Sequence, residues 1–220
     1  PQADYVKIRV KDEVWVVSEQ AYFKLTHQMD DNEKVAEVKG SELIGLRCIA
    51  PMIRREILTL PADFVDPAVG TGLVTSVPSD SPDDWISLRA LQQDPGALSK
   101  YGLDPEAVRA IRPIAIIEMK GWSDLPAVEI TERMGITAPD DPKLEEAKKL
   151  VYKDGFHTGR MNQASGEYAG LPVMEAKERM KQAMIAAGEA DVMYDLSENV
   201  TCRCGEQVVI KKVDDQWFID

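Results

Sequence analysis

The sequence predicts an α+β domain in which an antiparallel or barrel-like sheet carries an α/β insertion and flanking helices. Its 220 residues suit one large domain, and 44% of them are hydrophobic, which is enough for a core. Helix and strand patterns are mixed without strict alternation, and this argues against a doubly wound parallel sheet. We expect a single domain over 1–220, with a β-rich body at 1–92 and 155–220 and the insertion at 93–154.

The first part of the body has the patterns of a hairpin and a helix. Apolar side chains alternate from Val6 to Val10, as in a half-buried strand, and a turn leads to a second strand at 13–17. Ser18 is a good N-cap for the helix that follows. Similar patterns predict four further strands, at 33–39, 46–50, 56–60 and 72–77.

The remaining elements are mostly helical. One helix carries Trp85, Leu88 and Leu91 on one face. Asp-Pro pairs at 104–105 and 141–142 each predict the start of a helix. A short helix is predicted over 127–134, closed by Gly135, and another is predicted to start from Pro172. Strand patterns recur at 113–119, 191–195, 207–213 and 216–219. The chain opens without Met or a signal-peptide pattern and closes within a strand pattern, so we expect a segment of a longer polypeptide. Its three cysteines favour a reducing, cytoplasmic setting.

Charge and hydropathy exclude two classes of protein. The formal net charge is −12, whereas proteins that wrap nucleic acid need Lys and Arg to displace counterions from phosphates. A nucleic acid could still enter a local pocket by one end. No apolar run approaches the length of a membrane span, so no membrane partner is expected.

The cysteines and histidines give no metal site. Cys48, Cys202 and Cys204 are too few for a disulfide framework. Cys202 and Cys204 enclose one residue and have no second pair, whereas zinc needs four ligands, which favours structural thiols. His27 and His157 are isolated in sequence and are expected to be structural.

Residues 70–85 carry the densest polar pattern. Gly70 and Gly72 allow close approach of a backbone or a ligand. Five hydroxyl side chains offer donors and acceptors: Thr71, Thr75, Ser76, Ser79 and Ser81. Three carboxylates stand where a helix N-terminus favours negative charge: Asp80, Asp83 and Asp84. These acids could serve only as helix caps, but the number of polar groups exceeds what one cap requires and also fits a ligand site.

The run from Gly70-Thr71-Gly72 through Val74-Thr75-Ser76-Val77-Pro78-Ser79-Asp80-Ser81-Pro82-Asp83-Asp84 resembles the signature of the editing domain of class I aminoacyl-tRNA synthetases. The likeness is to the leucyl branch of archaea and the eukaryotic cytosol. Residues 122–136 resemble an insertion of that branch, 173–190 its late helix, and 215–220 the strand returning to the aminoacylation core. The resemblance therefore covers the whole chain and implies a barrel-like fold that hydrolyses the ester of mischarged tRNA(Leu).

The resemblance also implies roles for individual residues. Asp84 matches the carboxylate that holds the α-ammonium group of the wrong amino acid. The residues that match the amino-acid pocket are Thr75, Ser76 and Val77. Those expected near the terminal adenosine, or supporting that strand, are Gly70, Thr71 and Gly72. Asp80 is included in the site, although a cap or solvent-facing role fits it equally well.

The implied partners are the 3′ end of tRNA(Leu) carrying a wrong amino acid and, in cis, the rest of the synthetase. No cofactor or metal is expected here, since ATP and Mg²⁺ belong to the aminoacylation domain of the parent enzyme. The family's threonine-rich editing peptide is not in this chain, which leaves open whether the segment is active alone. The alternative is a module that binds adenosine or an amino acid without turnover, or has a structural role.

Overall fold

The computed structural model describes residues 1–51, 53–197 and 200–213, and their contacts divide the chain into two units. The first unit comprises Pro1–Leu46, Thr59–Val74 and Asp191–Asp220. The second comprises Arg47–Leu58 and Thr75–Ala190. The predicted insertion at 93–154 lies within the second unit, and its boundaries stay a prediction.

The first unit is built on a three-stranded antiparallel sheet. Its elements are, in chain order, β1 (Asp4–Val10), β2 (Glu13–Ser18), α1 (Glu19–Leu25), β3 (Glu33–Lys39) and α2 (Gly40–Leu43). The order β2-β1-β3 places β1 in the centre. One core forms between the sheet and α1, from Val6, Ile8, Val10, Val17, Ala21 and Leu25. The predicted hairpin is confirmed, and the alternating side chains of β1 account for it, because every second one faces this core.

Helix α1 begins where the sequence predicts. The Oγ atom of Ser18 accepts a hydrogen bond from the backbone N–H of Ala21 at 3.0 Å, which is the expected N-cap. The helix ends at Leu25, one turn before Met29, which still packs against the same core.

The second unit is mainly helical. Its strands are β4 (Arg47–Ile49), β5 (Glu56–Leu58), β6 (Ile117–Glu118) and β7 (Arg160–Met161), which form two antiparallel pairs, β4 with β5 and β6 with β7. Its helices are α3 (Pro82–Gln93), α4 (Pro95–Lys100), α5 (Pro105–Ala110), α6 (Pro126–Met134), α7 (Leu144–Thr158) and α8 (Val173–Ala186), with a 3-10 segment at Gln163–Tyr168. Its main core joins α3, α6 and α7 through Ile86, Met119, Ile130, Ile136, Leu144, Ala147 and Val151.

The predicted helices are confirmed, with one displaced start. Helix α6 ends at Gly135, whose φ of 66° is the left-handed conformation of a helix C-terminus. Helix α7 begins at Leu144 rather than directly after Asp141, because the Asp141 carboxylate instead accepts from the N–H of Lys143 in a local turn. Helix α8 follows Pro172 as expected.

Several predicted strands are wrong. Residues 72–77, 191–195 and 207–213 form no strand, and the predicted strand at 113–119 is reduced to β6. An apolar alternating run becomes a strand only when a partner strand hydrogen-bonds to it, and the local pattern does not supply one. The predicted strand at 216–219 lies outside the described residues.

Candidate functional site

The predicted site residues divide between the two units, and each part is described by itself. Gly70, Thr71 and Gly72 belong to the first unit. The second unit contains the remaining predicted residues, Thr75, Ser76, Val77, Asp80 and Asp84.

In the second unit, a tight turn leads into α3. The carbonyl oxygen of Val77 accepts from the N–H groups of Asp80, at 3.0 Å, and Ser81, at 2.9 Å. Ser81 is the N-cap of α3, and Pro82 occupies the first turn, where its missing N–H costs nothing. The N–H of Ala127, in the first turn of α6, donates to the carbonyl of Ser79 at 3.0 Å. The turn is therefore held both by the helix that it starts and by α6.

Asp84 lies in the first turn of α3 and reaches back to the segment before the turn. Its side chain is buried, with 6% of the residue exposed, and its Oδ2 atom accepts from the N–H of Val77 at 2.5 Å. Burial raises the pKa of the Asp84 carboxyl, while hydrogen bonds from Val77, Ser81 and Ser76 oppose that rise. The structure thus bonds the Asp84 carboxylate to the N–H of Val77, while the N-cap of α3 is Ser81.

The segment Thr75, Ser76 and Val77 is open to solvent. All three residues are exposed, and 40% of Val77 is accessible. This segment has no regular secondary structure. It therefore presents two hydroxyl groups and one apolar side chain, beside the buried carboxylate of Asp84, as an uncovered surface.

The two neighbouring acids have different environments. The Ser79 hydroxyl donates to Oδ2 of Asp80 at 2.5 Å, and burial raises the Asp80 pKa in spite of this bond. The other oxygen of Asp80 is buried without a hydrogen-bond partner among the described residues, as is the indole N–H of Trp85. Asp83 forms an ion pair with Lys148 of α7 at 3.2 Å. Sequence patterns carried no signal for the unpaired atoms or for this pairing, because both depend on packing.

In the first unit, the glycine loop lies against β2. Gly70 and Gly72 have positive φ angles of 55° and 74°. The carbonyl of Thr71 accepts from the N–H of Ser18 at 2.9 Å, and that of Gly72 from the Tyr5 hydroxyl at 2.8 Å. A Cβ atom on Gly72 would lie 2.7 Å from the Cβ of Ser18, whereas one on Gly70 would meet nothing within 4 Å. The close approach expected at Gly72 is thus made by the Ser18 side chain and, at 3.3 Å, by the Pro67 carbonyl, both within the protein itself.

Comparison with known proteins identifies the family. No protein-family model matches the chain. The leucine–tRNA ligases of Methanothrix thermoacetophila and Methanopyrus kandleri are 43% and 44% identical over the whole chain, which spans 23% of the length of each. The crystal structure of GlLeuRS-CP1 aligns with a TM-score of 0.80 and 32% identity, over 89% of this chain and 76% of that one. The chain belongs to the CP1 editing domains of leucyl-tRNA synthetases.

The family confirms the resemblance seen in the sequence and the predicted α+β class. The editing domain of the P. falciparum cytosolic leucyl-tRNA synthetase has the same fold, with a TM-score of 0.77 at 22% identity over 89% of this chain and 72% of that one. The roles assigned to the individual residues of this CP1 domain stay predictions.

The cysteines of this CP1 domain differ from expectation. Cys202 and Cys204 are joined in a disulfide bond, so the prediction of structural thiols is wrong for this pair. The turn that contains them closes locally, with the N–H of Gly205 donating to the carbonyl of Cys202, and this brings the two sulfur atoms together. Within the described part of the chain, no group of three or more His, Cys, Asp and Glu side chains could hold a metal ion.

None of the predicted site residues of the CP1 domain lines either of two shallow clefts in the described part of the chain. One cleft, in the first unit, is bordered by Asp4 and Lys39, and the other, in the second unit, by Lys120 and Arg160. In the ranges that the structure describes, no helix combines the length and the apolar character needed to cross a membrane.

Proposed function

We propose that this segment is the hydrolytic editing module of a leucine–tRNA ligase and that it cleaves the ester joining a wrong amino acid to the 3′ end of tRNA(Leu). Membership of the CP1 family supports the proposal. The observation that carries it is the buried Asp84 carboxylate bonded to Val77, beside an exposed, hydroxyl-bearing segment.

The need for a second, hydrolytic site follows from the energetics of discrimination. Leucine and its near-isosteres differ by the position of a methyl group or by one methylene. A hydrophobic pocket separates such side chains by roughly 1–3 kcal/mol, which is too little for faithful translation. An editing pocket solves the problem by admitting the wrong amino acid and excluding leucine by its shape.

Hydrolysis of this ester requires few catalytic groups from the protein. An ester is already activated, so a positioned water and donors aimed at the developing oxyanion are sufficient. The Thr75 and Ser76 hydroxyls and the backbone N–H groups of this segment can supply such donors. This scheme uses no metal and no cofactor, and we assign ATP and Mg²⁺ to the aminoacylation domain of the parent enzyme.

Asp84 has the chemistry to orient the substrate. A carboxylate accepts hydrogen bonds at two oxygens, and Val77 engages Oδ2, so the carboxylate can still accept from a substrate ammonium group. A charge-assisted bond to that ammonium would fix the α-carbon and hence the neighbouring ester carbonyl. The substrate's positive charge would also stabilise the ionised form of Asp84, against the effect of its burial.

The tRNA is proposed to reach this module by its 3′ end, held mainly by other domains of the synthetase. A segment with a net charge of −12 has little to attract an RNA backbone. We therefore expect weak binding of tRNA(Leu) by the isolated segment and efficient deacylation only within the whole enzyme.

The test compares Asp84→Ala and Asp83→Ala in the full-length ligase. Deacylation of mischarged tRNA(Leu) and ATP–pyrophosphate exchange with leucine are measured in parallel. We expect Asp84→Ala to abolish deacylation and leave leucine activation unchanged, while Asp83→Ala retains both. Full deacylation by Asp84→Ala would overturn the assignment, and binding of the charged 3′ end without any hydrolysis by the wild-type enzyme would favour the non-catalytic alternative.

A further inference from the structure

A lysine is buried in the first unit, far along the chain from the residues discussed so far. Lys24 lies on α1 with only 4% of its surface exposed. Its Nζ atom donates to the carbonyl of Ala68 at 2.5 Å and to both carboxylate oxygens of Asp195, at 2.8 and 2.7 Å. All three donors of the ammonium group therefore have partners, which is the condition under which a buried charge is tolerated.

Asp195 is suited to the role of counter-ion. Burial works against its ionised form, but the hydrogen bond from Lys24 and the N–H groups of Leu196 and Gly70 outweigh that effect, and the pKa of the carboxyl is lowered. The N–H of Leu196 donates to Oδ1 of Asp195 at 2.9 Å, and Lys24 contacts the same oxygen. The ion pair thus joins three segments of the unit, which are α1, the loop that contains Ala68 and Gly70, and the chain around Asp195.

The same loop is fixed at further carbonyl groups. Ser18 donates its hydroxyl to the carbonyl of Pro67 at 2.6 Å and its N–H to that of Thr71 at 2.9 Å. The Ala68 carbonyl accepts from Lys24, that of Gly72 from the Tyr5 hydroxyl, and that of Val69 from the N–H of Gly72. Five of the six carbonyls from Pro67 to Gly72 therefore accept hydrogen bonds from within the unit. The Thr71 side chain, in contrast, is exposed.

We propose that Lys24, with Asp195, is a positioning residue for the Gly70-Thr71-Gly72 loop. The ion pair sets the shape of the outward face of this loop, which receives the terminal adenosine of the tRNA. This inference rests on the proposed function, because the loop can position the 3′ end of a tRNA only if the segment binds one. An apolar side chain at position 24 would fill the space but could bond neither Ala68 nor Asp195.

The experiment uses the full-length ligase and mischarged tRNA(Leu). Lys24→Met removes every hydrogen bond of the ammonium, Asp195→Asn removes the ion pair but leaves the bond from Lys24 to Ala68, and Lys24→Arg keeps the positive charge. Lys34→Met is the matched control, because Lys34 makes its ion pairs with Glu37 and Glu19 in the same unit but at the surface.

We expect Lys24→Met to raise the KM for deacylation between about 10- and 100-fold, the usual effect of misplacing a substrate contact by a small distance. We expect kcat to stay within about twofold, since the reacting ester lies elsewhere. Asp195→Asn is expected to fall between Lys24→Met and the wild type, and Lys24→Arg to recover part of the loss. Lys34→Met should leave both constants unchanged, and leucine activation should be unchanged in all four variants.

Two results would overturn the inference. One is an unchanged KM in both Lys24→Met and Asp195→Asn. The other is a proportional fall of deacylation and leucine activation in both variants, together with a lower unfolding temperature, which would give the pair a purely structural role. Either result leaves the proposed function intact as long as Asp84→Ala still abolishes deacylation. Full deacylation by Asp84→Ala would instead count against the proposed function, whatever the Lys24 variants do.

Discussion

Replacing Gly72 by alanine tests the close contact between the glycine loop and β2. The new Cβ would lie 2.7 Å from the Cβ and 3.0 Å from the Oγ of Ser18, and 3.3 Å from the carbonyl of Pro67. The first distance is far below van der Waals contact, so the loop or the strand must move. Gly72 also has a φ of 74°, which disfavours any residue with a side chain.

The magnitude follows from three terms. A left-handed conformation costs an alanine about 1–2 kcal/mol relative to glycine. Overpacking in a well-filled region costs about 1–3 kcal/mol. Alanine also lowers the conformational entropy of the unfolded chain, which stabilises the folded state by about 0.4–1 kcal/mol. The three terms together lead us to expect that Gly72→Ala lowers the free energy of unfolding by about 3 kcal/mol, within a range of about 1–5 kcal/mol.

Gly70→Ala is the matched control. Gly70 also has a positive φ, of 55°, but a Cβ there would meet nothing within 4 Å. This variant has the conformational cost without the clash and should lose about 1 kcal/mol. Urea unfolding of the two variants and the wild type measures the difference, provided that the m-value is constant. Equal losses in the two variants would refute the role given to the contact with Ser18.

Three further predictions concern other parts of the chain. Ser18→Ala removes an N-cap and the bond to the Pro67 carbonyl, and should lower the free energy of unfolding by about 1–2 kcal/mol in urea titrations. Ile86→Ala, in the core of the second unit, should cost about 2–5 kcal/mol, while Ile53→Ala, with Ile53 69% exposed, should change stability by less than about 0.5 kcal/mol in the same assay. Because the pKa of Asp84 is raised by folding, the wild type loses stability as the pH rises above the ordinary value of 3.8, so Asp84→Asn should be the more stable protein at pH 7. Unfolding at several pH values should show this advantage shrink on acidification, and an advantage independent of pH would contradict the assignment.

Local signals in the sequence were sufficient for much of the fold. The alternation in β1, the cap at Ser18 and the stop at Gly135 each depend on a few neighbouring residues, and each prediction is confirmed. The strand predicted at 72–77 had an equally clear local pattern and is wrong. A strand depends on a partner that the sequence pattern does not identify, so its prediction is weaker than that of a capped helix.

The candidate site was likewise predictable from the sequence only in part. The motif at 70–85 was found from its residue types, and its resemblance led to the correct family. The bond from Val77 to Asp84 and the ion pair of Lys24 with Asp195 were not predicted, because their partners come together only through folding. In the second case the partners are 171 residues apart in the chain.

The hydrogen bond between Ala127 and Ser79 links the start of α6 to the turn between Val77 and Ser81. Any substitution that shifts the start of α6 along its axis pulls the Ser79 carbonyl with it, and Ser79 lies two residues from Val77. If the proposed function holds, substitutions in α6 change the selectivity of editing without contacting an amino acid or a tRNA. Homologues that differ in α6 are accordingly the natural place to look for differences in error rate.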